Sequence, residues 1–219
     1  MPLFRIGKDL HYFAHVPKCG GTSVEAYLAE RFGPLGFLHP GHQDLPEHAR
    51  WWRTSAQHVP AEAFFTLIPK PWIVSSFAVV RHPVSRLISA FAFSRNVQKL
   101  APAGWTIGDY VAHWVHLRHR EPFAFDGHLS TQSSFVPREA RVFRLEDGLD
   151  AIIPHVDALA GEASGRRTML RLNVTVPDGS AQADAVEITP QTLALIGELY
   201  AEDLDRFGYD LGRVPDASR

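Results

Sequence analysis

Apolar residues along the chain follow two rhythms. Two short continuous runs, residues 10–15 and 72–80, read as buried strands, and the second has the unbroken apolar character of a strand in a parallel sheet. Each run leads within a few residues into a helical pattern, 23–32 after the first and 83–95 after the second. In the second helix Val84, Leu87, Ile88 and Phe91 recur on one inner face. Pro83 suits its first position, where the missing amide is not needed. Residues 33–58 lose both periods and are rich in Gly, Pro and His, so they read as irregular. Further along, a short helix is predicted over 60–67, a helix of mixed face over 105–118, a strand over 141–145 and a helix over 147–159. Loops are predicted at 161–165 and at 176–184, the latter with Pro-Asp-Gly. Thr189-Pro190 opens a last helix that ends before Gly208. Strands that alternate with helices predict an α/β fold with a mostly parallel sheet, in one domain over residues 1–219.

The loop between the first strand and its helix carries chemistry. It reads His15-Val16-Pro17-Lys18-Cys19-Gly20-Gly21-Thr22-Ser23. Loop amides and the first helical turn direct N–H groups at one spot, and the helix dipole adds partial positive charge there. Gly20 and Gly21 allow close backbone approach, and Lys18 adds a full charge. Thr22 and Glu25 have capping-box spacing. A Walker A loop needs its lysine after the second glycine, so this is not one. The residues alone leave two readings: a phosphate or sulfate site, or a glycine-rich turn that binds nothing. The second strand ends in Arg81-His82-Pro83, with Ser85 and Ser89 one turn apart on the following helix. Arg81 and Ser89 can grip a second anion. In open α/β sheets ligands lie beyond the C-terminal strand ends, so the two motifs suggest one ligand with two separated anionic groups.

The first loop resembles the 5′-phosphosulfate loop of the Golgi-type carbohydrate sulfotransferases and their bacterial relatives. Arg81-His82-Pro83-Val84-Ser85-Arg86-Leu87-Ile88-Ser89-Ala90-Phe91 resembles their 3′-phosphate motif. His128-Leu129-Ser130-Thr131-Gln132, Arg144-Leu145-Glu146-Asp147, and Leu199-Tyr200-Ala201-Glu202-Asp203 with Phe207-Gly208-Tyr209 are weaker echoes that carry the resemblance over most of the chain. Cys19 stands where many relatives have threonine. The resemblance implies a P-loop-like three-layer sandwich with a central sheet flanked by helices. It implies 3′-phosphoadenosine 5′-phosphosulfate (PAPS) as co-substrate, the desulfated nucleotide PAP as product, and no metal. Pro17, Lys18, Cys19, Gly20, Gly21, Thr22, Ser23, Arg81 and Ser89 are then the nucleotide-binding residues. The resemblance further implies a hydroxyl acceptor, that of a saccharide.

Composition narrows the classes. With 219 residues, 45% of them hydrophobic, the chain can bury a sizeable core. A net charge of -2 gives no general surface for nucleic acid. One cysteine excludes an internal disulfide. The first residues lack a signal-peptide core, and no apolar run reaches the roughly 20 residues that span a bilayer. The expectation is a soluble cytoplasmic protein.

Sulfuryl transfer needs compensation of charge on the leaving 5′-phosphate and a base for the acceptor hydroxyl. Lys18 and the loop amides serve the first need. For the second, histidine titrates in the right range. His58, in Ala56-Gln57-His58-Val59-Pro60, is the chosen base among 12 histidines. The heparan 2-O-sulfotransferase branch has a catalytic histidine in a similar Gly-His-Val context between the same two motifs; here Gln57 replaces the glycine. His128 and Glu62 are the alternatives, and His15 reads as packing at the strand end. His113, His116 and His119, and His39, His42 and His48, invite a metal reading, but zinc on a helix prefers i, i+4 pairs. His39, His42, Arg50 and Arg53, and the run Arg166, Arg167 and Arg171, are candidates to meet the acceptor, or are solvated. Trp51 and Trp52 either stack on a sugar or cover the core. Two other readings stay open: a P-loop-like nucleotide kinase, and a nucleotide-binding scaffold without turnover.

Overall fold

The computed structural model describes residues 1–161, 168–170, 172 and 187–215. The chain divides into two compact units, residues 1–80 with 132–173, and residues 81–131 with 174–219.

The first unit holds the sheet. Strands β1 (Leu3–Ile6), β2 (Asp9–Ala14), β3 (Ile73–Val80) and β4 (Arg141–Arg144) lie in that order. β2 and β3 run parallel with Phe13 beside Phe77, and β3 and β4 run parallel with Val80 beside Arg144. The sequence pattern did not show β1. It pairs antiparallel with β2 from Leu3↔Tyr12 to Ile6↔Asp9, closed by Gly7 at φ 59° and Lys8. The sheet is therefore mostly parallel, as expected, with one antiparallel edge.

Side chains alternate across this sheet, and each face has its helix. On one face Phe4 meets Phe32 of α1 (Gly21–Phe32) at 5.5 Å, and Phe77 meets His155 of α5 (Ile153–Ala160) at 5.7 Å. Arg31 and Asp157 join those two helices through a 2.6 Å ion pair. On the other face Tyr12 stacks on Phe64 of α2 (Ala61–Leu67) at 4.2 Å. Helix, sheet and helix form three layers, the P-loop-like α/β arrangement. Residues 33–58 are irregular apart from two single 3₁₀ turns, as their composition predicts.

The second unit is helical in its described residues. It contains α3 (Pro83–Phe93), α4 (Ile107–Leu117), α6 (Pro190–Leu199) and α7 (Ala201–Phe207). Beyond Phe93 the expected helix loosens into one π-helical turn, Ser94–Gln98. α4 begins with a capping box between Thr106 and Asp109. The single last helix of the sequence reading is two helices that break at Tyr200. Its hydroxyl donates to the Leu129 carbonyl at 2.9 Å, and its ring lies under the Arg86 guanidinium at 5.4 Å. Val84, Leu87, Phe91, Tyr110, Trp114 and Ile196 fill the core. Among the described residues no helix is long and apolar enough to cross a membrane. The loop at 176–184, most of the loop at 161–165, and Arg166, Arg167 and Arg171 lie outside the described residues.

Candidate active site

β2 delivers the chain into the glycine loop at its C-terminal end. The turn needs left-handed backbone twice, at Lys18 (φ 67°) and at Gly20 (φ 79°). Glycine takes that conformation freely; lysine holds it at a cost of order 1 kcal/mol. Gly20 is the N-cap of α1, with no side chain closing the helix end. The capping box expected of Thr22 and Glu25 does not form, because the helix starts two residues earlier, with Gly20 as its N-cap, and Glu25 turns inward. No acid stands in the first turn of this 12-residue helix, so no side chain of that turn offsets the positive end of its dipole. Lys18 is half-exposed beside it. This combination fits an anionic group such as a sulfate or phosphate.

The rest of the loop divides between support and exposure. Pro17 is buried. Cys19 is fully buried, its thiol 3.4 Å from Gln132 Oε1 and 3.6 Å from the Pro17 carbonyl. Its side chain anchors the loop from behind. Ser23 is also buried, and its hydroxyl accepts the Leu172 amide at 2.9 Å. Thr22 is exposed. Gly21 lies against the His15 ring: a Cβ there would stand 2.4 Å from both Cε1 and Nε2.

His15 does more than pack. Its Nδ1 is 2.5 Å from Glu25 Oε1, and both residues are buried. Burial pushes the His15 imidazole below its ordinary range, against the pull of Glu25. Burial alone would raise Glu25, but the charge and hydrogen bond of His15, with help from the Met1 amine and His58, hold the carboxyl below its usual value. The state consistent with both is an ionised Glu25 that accepts the Nδ1–H of a neutral His15. His58 stands edge-on to this ring, with centroids 5.0 Å apart and planes at 72°. Only 7% of His58 is exposed. Its amide donates to the Ser55 carbonyl at 2.8 Å, and its carbonyl accepts the Thr54 hydroxyl at 2.6 Å. The structure thus brings His58, His15 and Glu25 together behind Gly21.

The second motif belongs to the second unit. Arg81 is half-buried, just ahead of α3, and Ser89 is half-buried two turns into it. Ser85, one turn before Ser89, is buried. His82 caps α3: its Nδ1 accepts the Val84 amide at 3.3 Å and its Nε2 lies 3.0 Å from the Asp210 carbonyl. Arg86 is structural. Its two terminal nitrogens donate to the carbonyls of His128 at 2.9 Å and Ser130 at 2.6 Å. His128 is buried, with Nε2 3.7 Å from Asp126. Glu62 is exposed on α2.

Each histidine group has one member that packs. His113 lies against Trp105 at 4.8 Å, while His116 and His119 face solvent. His42 is buried with Nε2 2.9 Å from the Trp52 carbonyl, and His39 and Trp51 are exposed near it. Arg50 ties its own loop through the carbonyls of Leu45 and Gln43; Arg53 is exposed. Sequence reasoning missed Glu25 and Gln132 as site residues. Glu25 left a signal, since it falls on the inner stripe of α1 with Gly21, Val24 and Leu28.

Residues 3–210 match one family model, described as the sulfotransferase family. No curated protein and no solved structure matches the chain.

Proposed function

Because the chain belongs to the sulfotransferase family, we propose that it moves the sulfuryl group of PAPS to a hydroxyl of a saccharide, with His58 as the base. The observation that carries this reading is the loop: two left-handed residues, Lys18 and Gly20, ahead of a helix N-terminus free of acids. The loop amides and Lys18 hold the 5′-phosphosulfate and compensate the charge that grows on the leaving phosphate. Arg81 and Ser89 hold the 3′-phosphate. The acceptor oxygen bonds to sulfur, the bond from sulfur to the 5′-phosphate oxygen breaks, and the acceptor proton goes to His58.

Thermal unfolding with PAP, AMP and ATP–Mg²⁺ in parallel tests the nucleotide. At 100 times Kd a ligand adds about 2.7 kcal/mol, or roughly 5–10 °C for a chain of this size. A shift with PAP alone is expected, reduced by Arg81→Ala. A shift with ATP–Mg²⁺ instead overturns the reading in favour of a kinase, and no shift favours a scaffold. Lys18→Ala is expected to lower kcat by about 10²–10³-fold, the cost of losing one oxyanion donor.

A further inference from the structure

α1 presents Val24, Tyr27 and Leu28 to the interior, and Glu25 falls on the same stripe. A carboxylate is almost never placed there without a partner, and a leucine in its place would cost no desolvation. The partner is His15, at 2.5 Å. The ring of His15 is trapped on two sides, by the Glu25 carboxylate at Nδ1 and by the Gly21 backbone against Cε1 and Nε2. His58 rests edge-on against that trapped ring.

We propose that Glu25 is a positioning residue for sulfuryl transfer: through His15 it fixes the ring against which His58 packs, and its charge stabilises the imidazolium that forms when His58 takes the acceptor proton. This rests on the reading of His58 as the base. An ionised Glu25 locks His15 in the tautomer with the proton on Nδ1. Neutral His15 is then a spacer between the carboxylate and His58. Within the first unit the charge of His58 is felt by His15 at the end of β2 and by Glu25 on α1, and the Met1 amine ahead of β1 acts on that same pair. Of these Glu25 is the one that carries negative charge, and that charge favours protonation of His58. The step balances as a proton transfer: the acceptor O–H breaks, the proton lands on a His58 ring nitrogen, and Glu25 and His15 keep their own protonation states.

Side-chain ¹⁵N spectra of histidine-labelled protein test this without any acceptor. Wild type is expected to show His15 with its proton on Nδ1, and Glu25→Gln is expected to lower the His58 titration midpoint while PAP affinity by calorimetry stays unchanged. Glu25→Asp, which keeps the charge on a shorter arm, is expected to restore part of the midpoint. Release of sulfate from PAPS, with water as the acceptor, supplies the kinetic arm: Glu25→Gln is expected to lower kcat at least about tenfold with KM for PAPS unchanged. A His58 midpoint that ignores Glu25→Gln, or a His15 proton on Nε2 in wild type, overturns the proposal. If Glu25→Gln does not fold, the wild-type tautomer decides. The failure of the base assignment looks different: His58→Ala then releases sulfate at the wild-type rate while Glu25→Gln still moves the His58 midpoint.

Discussion

Replacing Gly21 with alanine sets helix propensity against packing. Gly21 opens α1 with a negative φ that alanine adopts without strain, and alanine in a helix gains about 0.5–1 kcal/mol over glycine. The space tells against it. The new methyl would lie 2.4 Å from Cε1 and Nε2 of His15 and 2.6 Å from Cδ2. Ordinary carbon contacts are about 3.5–4.0 Å, so the ring must retreat by about 1 Å. The ring is not free to retreat, because its Nδ1 is bonded to a buried carboxylate at 2.5 Å. Overpacking costs about 1–3 kcal/mol, and losing a hydrogen bond to a charged group about 1.5–3 kcal/mol. After the helical gain, Gly21→Ala is expected to destabilise the protein by about 2–5 kcal/mol. At roughly 2–4 °C per kcal/mol, Tm falls by a few to about 20 °C. Urea unfolding gives the free energy, and a second background isolates its cause. In His15→Ala the methyl has room, and Gly21→Ala is expected to be neutral or stabilising there, a coupling well above the additive scatter of about 0.5 kcal/mol. An equal loss in both backgrounds would refute the reasoning.

Arg86→Lys is expected to destabilise nearly as much as Arg86→Ala, about 3–5 kcal/mol by thermal or urea unfolding, since a lysine cannot fork to two carbonyls and stack on Tyr200 at once; full rescue by lysine would mean that charge alone matters. Stability is expected to fall as pH drops below about 6.5. Burial holds His11, His15 and His155 below that ordinary value, with Arg141 and His11 adding to the effect at His155. Below it the unfolded chain binds protons that the folded one refuses, and Glu25, titrating low when folded, adds a loss of the same sign at lower pH. A urea midpoint that is flat or rising from pH 7 to pH 5 contradicts this.

Much of the fold is legible in local pattern. β3 and the apolar face of α3 announce themselves by period, and the glycine loop by the spacing of Lys18, Gly20 and Gly21. What escaped depends on contacts distant in sequence. β1 is four residues long, too short to show a period, and gains its place by pairing with β2. The last helix breaks at Tyr200 with no glycine or proline to announce it, because that side chain is held by Leu129 and Arg86. Thr22 and Glu25 satisfy a local capping rule that the fold overrides, since Glu25 is worth more against His15 ten residues away. His58 stands out in the sequence by its context between the two motifs; that His15 and Glu25 stand with it follows from how β2, α1 and the irregular segment fold.

Arg86 grips the segment at 128–130 by backbone oxygens alone. A clamp that touches only carbonyls is indifferent to the letters of the sequence it holds. The half-buried Ser130 can be exchanged while the strap stays fastened, so its side chain is a natural place to begin a combinatorial library. New surface chemistry can be written there without refolding the scaffold beneath it.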